Sequence, residues 1–176
     1  SISYLKGDGV SEKLPVIISL HALSGGGNGG YFALTARNGF YRIYLSDHRK
    51  RWWEGKSSNR INNQIDFLIN NPKYNIDKER IYLEGTSMGG HGTIFHAITF
   101  PAKYAAVYAQ VPNINPEQIA LIKKESDIPP VVSYFGFKDG GNSEYNFGKK
   151  GHAPFLKKMQ ENIFGVWSVW LDEGHT

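Results

Sequence analysis

Apolar and polar positions along the chain follow two alternating patterns, and together these predict an α/β fold. Short, nearly continuous apolar runs such as PVIISLH (15–21) are typical of buried strands. Stretches with helical spacing lie between them, and one of these, NNQIDFLINN (62–71), ends before a proline. The predicted strands are 15–21, 40–46, 80–85, 104–112, 129–137 and 165–172, and the predicted helices are a short one around 30–38, then 62–71, 89–100 and 153–164.

Strands joined by helices of this length imply right-handed crossovers and parallel pairing. We therefore predict a mostly parallel sheet of about six strands with helices on both faces. The chain of 176 residues has the size of one domain, which we place at 1–176. Because ligands of such sheets bind beyond the carboxyl ends of the strands, catalytic residues should come directly after strands.

The segment IYLEGTSMGGHG (81–92) places a serine among glycines, between a predicted strand and a predicted helix. Its residues 85–89 fit the pattern G-x-S-x-G, in which the serine lies on a strained strand-to-helix turn. Small flanking residues are needed there because the turn brings backbone segments close together. The strand before it and the helix after it favour Ser87 as a nucleophile over a glycine-rich turn without chemistry.

A serine hydroxyl becomes a good nucleophile when a base takes its proton and an acid orients that base. In the expected order Ser, acid, His, Asp139 follows the fifth predicted strand and His175 follows the sixth. We predict that Ser87, Asp139 and His175 form a catalytic triad. The backbone N–H groups of Met88 and of Leu23, in the loop after the first strand, are the predicted oxyanion donors.

The other carboxylates fit the acid's role less well, because they precede a strand, precede the serine or adjoin the histidine. They are Asp47, Asp77, Asp127, Asp172 and Glu173. The other histidines lie within or before a predicted helix or come earlier than the serine; the one that ends the first strand is expected to hydrogen-bond the loop backbone. They are His21, His48, His91, His96 and His152.

Composition narrows the function classes. The chain has no cysteine, which excludes disulfides, thiolate metal sites and a cysteine nucleophile. Its net charge of +4 is diffuse and lacks the basic stripe of a nucleic-acid binder. No apolar run approaches the roughly 18 residues that span a membrane, and the first residues lack a signal-peptide pattern. We expect neither nucleic acid nor membrane as a partner; oligomeric state stays open, as does location, in the cytoplasm or secreted with a signal removed.

The stretch DKERIYLEGTSMGGHGTIFHAITFPAKYAAVYAQVPNINP (77–116) resembles the esterase D-like branch of the α/β-hydrolases. This branch includes S-formylglutathione hydrolases and feruloyl and acetylxylan esterases. The string SMGGHG, the later Pro101 and Tyr104, and the segment LHALSGGGNGG after the first strand carry the resemblance, which extends from about Leu14 to His175.

The resemblance implies the α/β-hydrolase fold and hydrolysis of carboxylic esters or thioesters through an acyl-serine, with no metal and no cofactor. Carried over by position, Ser87, Asp139 and His175 match the nucleophile, the acid and the base. Met88 and Leu23 match the oxyanion donors. The assignment agrees with the one reached from strand ends.

Three departures from the family pattern concern the loop, the acid and the ends. Ala22 stands where the family usually has glycine. The acid is commonly preceded by an H-G or Q-G pair in the family, whereas the segment that ends in Asp139 here reads YFGFKD. Relatives generally have further strands before the first one here and a helix after the histidine. The chain ends one residue beyond His175, so we expect a trimmed core of the family fold.

The loop SDHRKRWWEGKSSNR (46–60) follows the second predicted strand, on the same rim as the triad. Trp52 and Trp53 offer a flat face to a sugar or aryl ring, and Phe137 beside the acid adds an apolar wall. The alternative is that one tryptophan packs under the loop and the neighbouring charges are solvated.

The function predicted first is a serine esterase acting on small acyl or aryl esters, including esters carried on polysaccharide. Two enzymatic alternatives are thioester hydrolysis of the S-formylglutathione kind and peptide hydrolysis. From a different class, a catalytically inactive module would keep the fold for carbohydrate or protein recognition. The complete triad argues against this last reading.

Overall fold

The computed structural model describes residues 3–4, 12–22, 33–37, 39–45, 55–112, 114, 116–122, 128–136, 152–162 and 165–171. Its strands are β1 (Ser3–Tyr4), β2 (Leu14–Leu20), β3 (Ala33–Arg37), β4 (Phe40–Leu45), β5 (Ile76–Thr86), β6 (Ala106–Gln110), β7 (Val131–Gly136) and β8 (Val166–Leu171). Its helices are α1 (Gly55–Ile69), α2 (Met88–Thr99), α3 (Pro116–Ala120) and α4 (His152–Glu161), with a 3-10 turn at Pro101–Lys103.

The strands form one sheet in the order β1-β3-β4-β2-β5-β6-β7-β8. Neighbours β3 and β4 run antiparallel, and the other paired neighbours run parallel. All six predicted strands are present, so the predicted mostly parallel sheet is confirmed. The sheet gains β1 and β3 beyond those six.

The short helix predicted around 30–38 is wrong, because residues 33–37 form β3. Arg37 pairs with Phe40, which leaves a two-residue connection, Asn38 and Gly39, between antiparallel strands. Gly39 has a φ of 80°, a left-handed conformation that glycine adopts without steric cost. Asn-Gly between apolar segments is a strong hairpin signal, and here it outweighs the weak helical spacing of the segment.

One face of the sheet carries the core. In β2 the residues Val16, Ile18 and Leu20 are buried, and the alternating residues between them are half-buried. Parallel pairing aligns the buried residues of β4, β5, β6 and β7 with these. Buried apolar residues of α1, α2 and α4 join the same cluster; in α1 and α4 they are spaced four apart, as helix periodicity requires. Members from these two helices are Ile61, Ile65, Ile69, Phe155 and Met159.

A polar group on the opposite face links three neighbouring strands. The Ser19 hydroxyl donates to Glu84 Oε1 at 2.6 Å, and Arg42 forms an ion pair with the same oxygen. The hydrogen bond to Glu84 raises the pKa of Arg42. These side chains tie β2, β4 and β5 together below the level of the serine turn.

A lysine after α2 fixes the position of α1. Lys103 Nζ lies 2.7 Å from Asp66 Oδ1 and also contacts the Asn62 side chain. The Lys103 side chain is only 13% exposed, so the lysine end of the pair is largely shielded from solvent.

Within the described residues, no helix is long and apolar enough to cross a lipid bilayer.

Replacing Ser133 by alanine should raise the free energy of unfolding by about 1 kcal/mol. The Ser133 hydroxyl is buried in β7 and has no hydrogen-bond partner among the described residues, so its desolvation is uncompensated. Urea denaturation of both proteins measures the difference.

The matched control is Thr93→Val, which also removes one buried hydroxyl. The Thr93 hydroxyl donates to the Gly89 carbonyl at 2.9 Å, so its loss should lower the free energy of unfolding by about 1 kcal/mol. A Ser133→Ala protein that is less stable than the wild type would contradict the prediction.

Candidate active site

Ser87 occupies the single residue between the end of β5 and the start of α2. Its backbone has φ 54° and ψ −114°, a conformation that residues other than glycine rarely adopt. Such a conformation costs on the order of 1–3 kcal/mol and persists only where the surroundings impose it. In the part of the chain that the structure describes, the side chain makes no capping bond to α2, although serine commonly caps helices at this position.

Two backbone hydrogen bonds hold the turn on either side of the serine. The Ser87 N–H donates to the Gln110 carbonyl at 2.9 Å, which joins the turn to β6. The Ser87 carbonyl accepts the His91 N–H at 2.9 Å, which starts the helical ladder of α2. The position of the serine backbone is therefore set by both a strand and a helix.

The glycines of the motif allow α2 to begin in contact with the sheet backbone. A Cβ on Gly89 would lie 2.9 Å from the His21 carbonyl oxygen and closer still to that of Leu20. A Cβ on Gly85 would lie 2.9 Å from the Gly90 nitrogen. Because real Cβ atoms do not approach backbone atoms this closely, both positions require glycine.

The first turn of α2 supplies donors at the serine. The first N–H groups of a helix have no intrahelical acceptor, and the helix dipole makes this end positive. Met88, the first residue of α2, is 7% exposed, so its surroundings are largely dry. The Met88 N–H is thus suited to bind a negative oxygen formed next to Ser87.

The carboxyl ends of the strands lie at one edge of the sheet. Thr86 pairs with Gln110 at the ends of β5 and β6, and Gly136 pairs with Leu171 at the ends of β7 and β8. Residues that follow β5, β7 and β8 therefore enter the same rim. This is where an open α/β sheet binds its ligand.

Comparison with known proteins shows what this arrangement is similar to. No family model matches the chain. A solved structure of a thermostable esterase superposes on 97% of the chain and 50% of its own, with a TM-score of 0.69 and 17% sequence identity. An acetylxylan esterase A of Emericella nidulans is 45% identical over 60 residues, and an S-formylglutathione hydrolase of Rattus norvegicus is 44% identical over 56 residues. Over the matched segments the chain is similar in sequence to these esterase D-like α/β-hydrolases, and it shares the fold of the thermostable esterase.

The matches to the two curated relatives are short. They span 33% and 32% of the chain, and 19% and 20% of the relatives' own lengths. The chain thus matches about a fifth of the length of each relative. The predicted fold class and the family resemblance are both confirmed.

Of the predicted site residues, Ser87 and Met88 are described, and the structure brings them together at the turn. The others lie outside the described residues, so their roles remain predictions. They are Leu23, Trp52, Trp53, Phe137, Asp139 and His175.

The alternative carboxylate that the structure describes is engaged elsewhere. Asp77 lies near the amino end of β5, at the opposite end of the strand from Ser87. Its Oδ2 accepts the Arg80 Nε–H at 2.6 Å, and this bond lowers the pKa of Asp77.

The alternative histidines that the structure describes in α2 and after β2 pack or hydrogen-bond within the fold. His91 and His96 are buried in α2, and the His96 ring lies 5.3 Å from that of Phe100. His21 donates from Nδ1 to the Ala22 carbonyl oxygen at 2.6 Å. The expectation that His21 hydrogen-bonds the loop backbone is confirmed.

Sequence reasoning missed two residues at the end of β6. Gln110 contacts the serine turn, and the next residue, Val111, has a φ of 39° although it is β-branched. The available signal was a polar residue ending the apolar run YAAVYAQVP. Nothing in the local sequence indicates the left-handed valine.

Replacing Gly89 by alanine should lower the free energy of unfolding of the protein by about 3 kcal/mol, because the new methyl group overlaps the backbone carbonyls of Leu20 and His21 at the end of β2. Helix propensity alone predicts a gain of up to about 1 kcal/mol, so the sign distinguishes steric contact from propensity. Urea denaturation gives the value.

Gly39→Ala is the control, since a Cβ there meets nothing within 4 Å and only the φ of 80° is strained. Its cost should be about 1 kcal/mol. Equal losses in the two variants would show that close packing at Gly89 is not the constraint.

Proposed function

We propose that this chain is a serine esterase that hydrolyses carboxylic esters through an acyl-Ser87 intermediate. The observation that carries the proposal is the left-handed backbone of Ser87, held between a strand end and a helix start. Strain of this kind at a serine that does not cap its helix is expected where the hydroxyl must project toward a substrate. The curated relatives, both ester or thioester hydrolases by name, support the same class.

The strand order supports the proposed partners Asp139 and His175. The end of β8 is three strands from that of β5, which is roughly 14 Å at the usual strand spacing. From Leu171 to His175 there are 175 − 171 = 4 residues, which in extended form reach up to roughly 14 Å. The imidazole adds to this reach, so His175 is close enough in sequence to approach Ser87. Asp139 follows β7 in sequence, and the end of β7 lies between the ends of β5 and β8. It can therefore orient the histidine from that side.

In the proposed reaction His175 accepts the Ser87 hydroxyl proton as Oγ attacks the ester carbonyl carbon. The oxygen becomes negative and is bound by the N–H groups of Met88 and Leu23. The tetrahedral intermediate collapses, the alcohol leaves with the proton from His175, and the acyl group stays on Ser87. Water, activated by His175, then attacks the acyl-serine and releases the carboxylic acid.

The proposed substrates are small acyl or aryl esters, including esters carried on carbohydrate. The matched acetylxylan esterase A supports the carbohydrate assignment. Trp52 and Trp53, which lie in sequence between β4 and α1, would present aromatic faces to a sugar ring, and Phe137 would add an apolar wall near the proposed acid. A pocket that offered only hydrogen bonds would distinguish such sugars from water less well.

Thioester hydrolysis is the second candidate, because the other curated relative is an S-formylglutathione hydrolase. The same acyl-serine chemistry serves a thiolate leaving group, which needs less protonation than an alkoxide. The two substrate classes therefore differ in the pocket rather than in the triad.

Ser87→Ala should reduce kcat for p-nitrophenyl acetate by about a thousandfold or more, since it removes the proposed nucleophile. A fluorophosphonate probe should label the wild type on Ser87 and leave this variant unlabelled, as mass spectrometry of the digested protein can establish. Ser133→Ala, which removes a buried serine hydroxyl of β7 away from the turn, serves as the control and should keep its labelling. Wild type and Ser87→Ala releasing nitrophenol at the same slow rate would exclude the esterase function.

Trp52→Ala and Trp53→Ala should each raise KM for an acetylated xylo-oligosaccharide by about tenfold, the equivalent of about 1.4 kcal/mol of stacking energy. Their KM for p-nitrophenyl acetate should stay within twofold, because this ester has no sugar ring. Acetate release and nitrophenol release are measured side by side, with S-formylglutathione as a third substrate. If kcat/KM for the thioester exceeds kcat/KM for each of the two oxygen esters by tenfold, the chain is assigned to thioester hydrolysis instead.

A further inference from the structure

The end of β6 contacts the serine turn through both the backbone and the side chain of Gln110. The Gln110 carbonyl oxygen accepts the Ser87 N–H at 2.9 Å. The Gln110 side-chain Oε1 accepts the Thr86 hydroxyl at 3.0 Å, and Thr86 and Gln110 are paired across the two strands. One residue of β6 therefore binds the nucleophile's backbone and also the residue before the nucleophile.

The peptide group between Gln110 and Val111 joins the turn to the next strand as well. Its carbonyl accepts the Ser87 N–H, and its N–H donates to the Tyr134 carbonyl in β7 at 2.8 Å. Val111 is 1% exposed and has a φ of 39°. Among the described residues, Ser87 and Val111 are the two that have a positive φ without being glycine, and they lie at neighbouring strand ends.

Close packing leaves β6 little freedom to shift against the turn. A Cβ on Gly90 would lie 2.7 Å from the Gln110 carbonyl oxygen and 3.2 Å from Pro112 Cα. The first turn of α2 is therefore in direct contact with the backbone that follows the Thr86 and Gln110 pair. A displacement of Gln110 would be transmitted to Ser87 rather than absorbed by a gap.

We propose that Gln110 is a positioning residue for Ser87, acting through the Thr86 hydroxyl and the Ser87 N–H to fix the nucleophile's strained backbone. The proposal rests on the esterase function proposed above. Its physical basis is that a nucleophile displaced by a fraction of an ångström loses rate even when binding is intact. Gln110 itself takes no part in bond making.

Gln110→Met and Thr86→Val each remove the side-chain hydrogen bond with little change in volume. Each should lower kcat for p-nitrophenyl acetate by about tenfold while KM stays within twofold, since the interaction positions the nucleophile and does not bind the ester. Thr86→Ser keeps the hydroxyl and should retain at least half of the wild-type kcat. The double variant should be no slower than the slower single variant, because both changes break the same contact.

Amide hydrogen exchange over residues 85–90 gives a readout that does not depend on turnover. Exchange in this segment should accelerate severalfold in Gln110→Met and Thr86→Val and remain at the wild-type rate in Thr86→Ser. Ser19→Ala is the matched control: it breaks a 2.6 Å side-chain bond between β2 and β5 and should leave kcat and the exchange of 85–90 unchanged.

The outcomes separate the two proposals. An active wild type whose Gln110→Met and Thr86→Val variants keep kcat and exchange overturns the positioning role and leaves the esterase function intact. Loss of kcat with an equal loss in Ser19→Ala also overturns it, since the effect would then be one of general stability. A wild type without hydrolysis or fluorophosphonate labelling overturns the esterase function and, with it, the role assigned to Gln110.

Discussion

The contact between the first turn of α2 and the strand ends is the constraint on which the rest of the structure depends. Carbonyl oxygens of β2 and β6 lie so close to Gly89 and Gly90 that neither position has room for a Cβ. With the helix start held there, a single residue must connect it to the end of β5. That residue, Ser87, is forced into a left-handed backbone, and its side chain makes no capping hydrogen bond to α2.

The strain at this edge is sustained by packing below it. Left-handed conformations at Ser87 and Val111 together cost on the order of 2–6 kcal/mol, a large part of the net stability of a domain. The buried face of the sheet offsets this cost, since its apolar residues form one continuous cluster with α1, α2 and α4. The strained rim and the core are thus coupled energetically.

Sequence patterns predicted the elements whose periodicity is strong and failed where a local turn decides the structure. Apolar runs and the placement of glycines predicted six strands and the helix after the serine. They also indicated Ser87 as the candidate nucleophile. The helix predicted around 30–38 was wrong because the sequence Asn38-Gly39 connects two antiparallel strands, and this hairpin signal overrides the weak helical spacing. The conformation of Val111 was not predictable, since the peptide group before it is hydrogen-bonded to the serine turn and to β7, and no feature of the local sequence indicates it. The roles of Asp139 and His175 still rest on their place after β7 and β8.

The position of β6 bears on how the proposed triad, drawn from separate strands, would be aligned. The proposed acid follows β7 and the proposed nucleophile follows β5, and β6 pairs with both of these strands. At the level of the rim this link reduces to one peptide group, whose carbonyl accepts the Ser87 N–H and whose N–H donates to the Tyr134 carbonyl. A peptide group is planar and stiff, so the two hydrogen bonds fix the distance between the turn and β7 more firmly than flexible side chains would. The distance between Ser87 and the end of β7, which the proposed acid follows, is therefore set by β6, which supplies neither proposed residue.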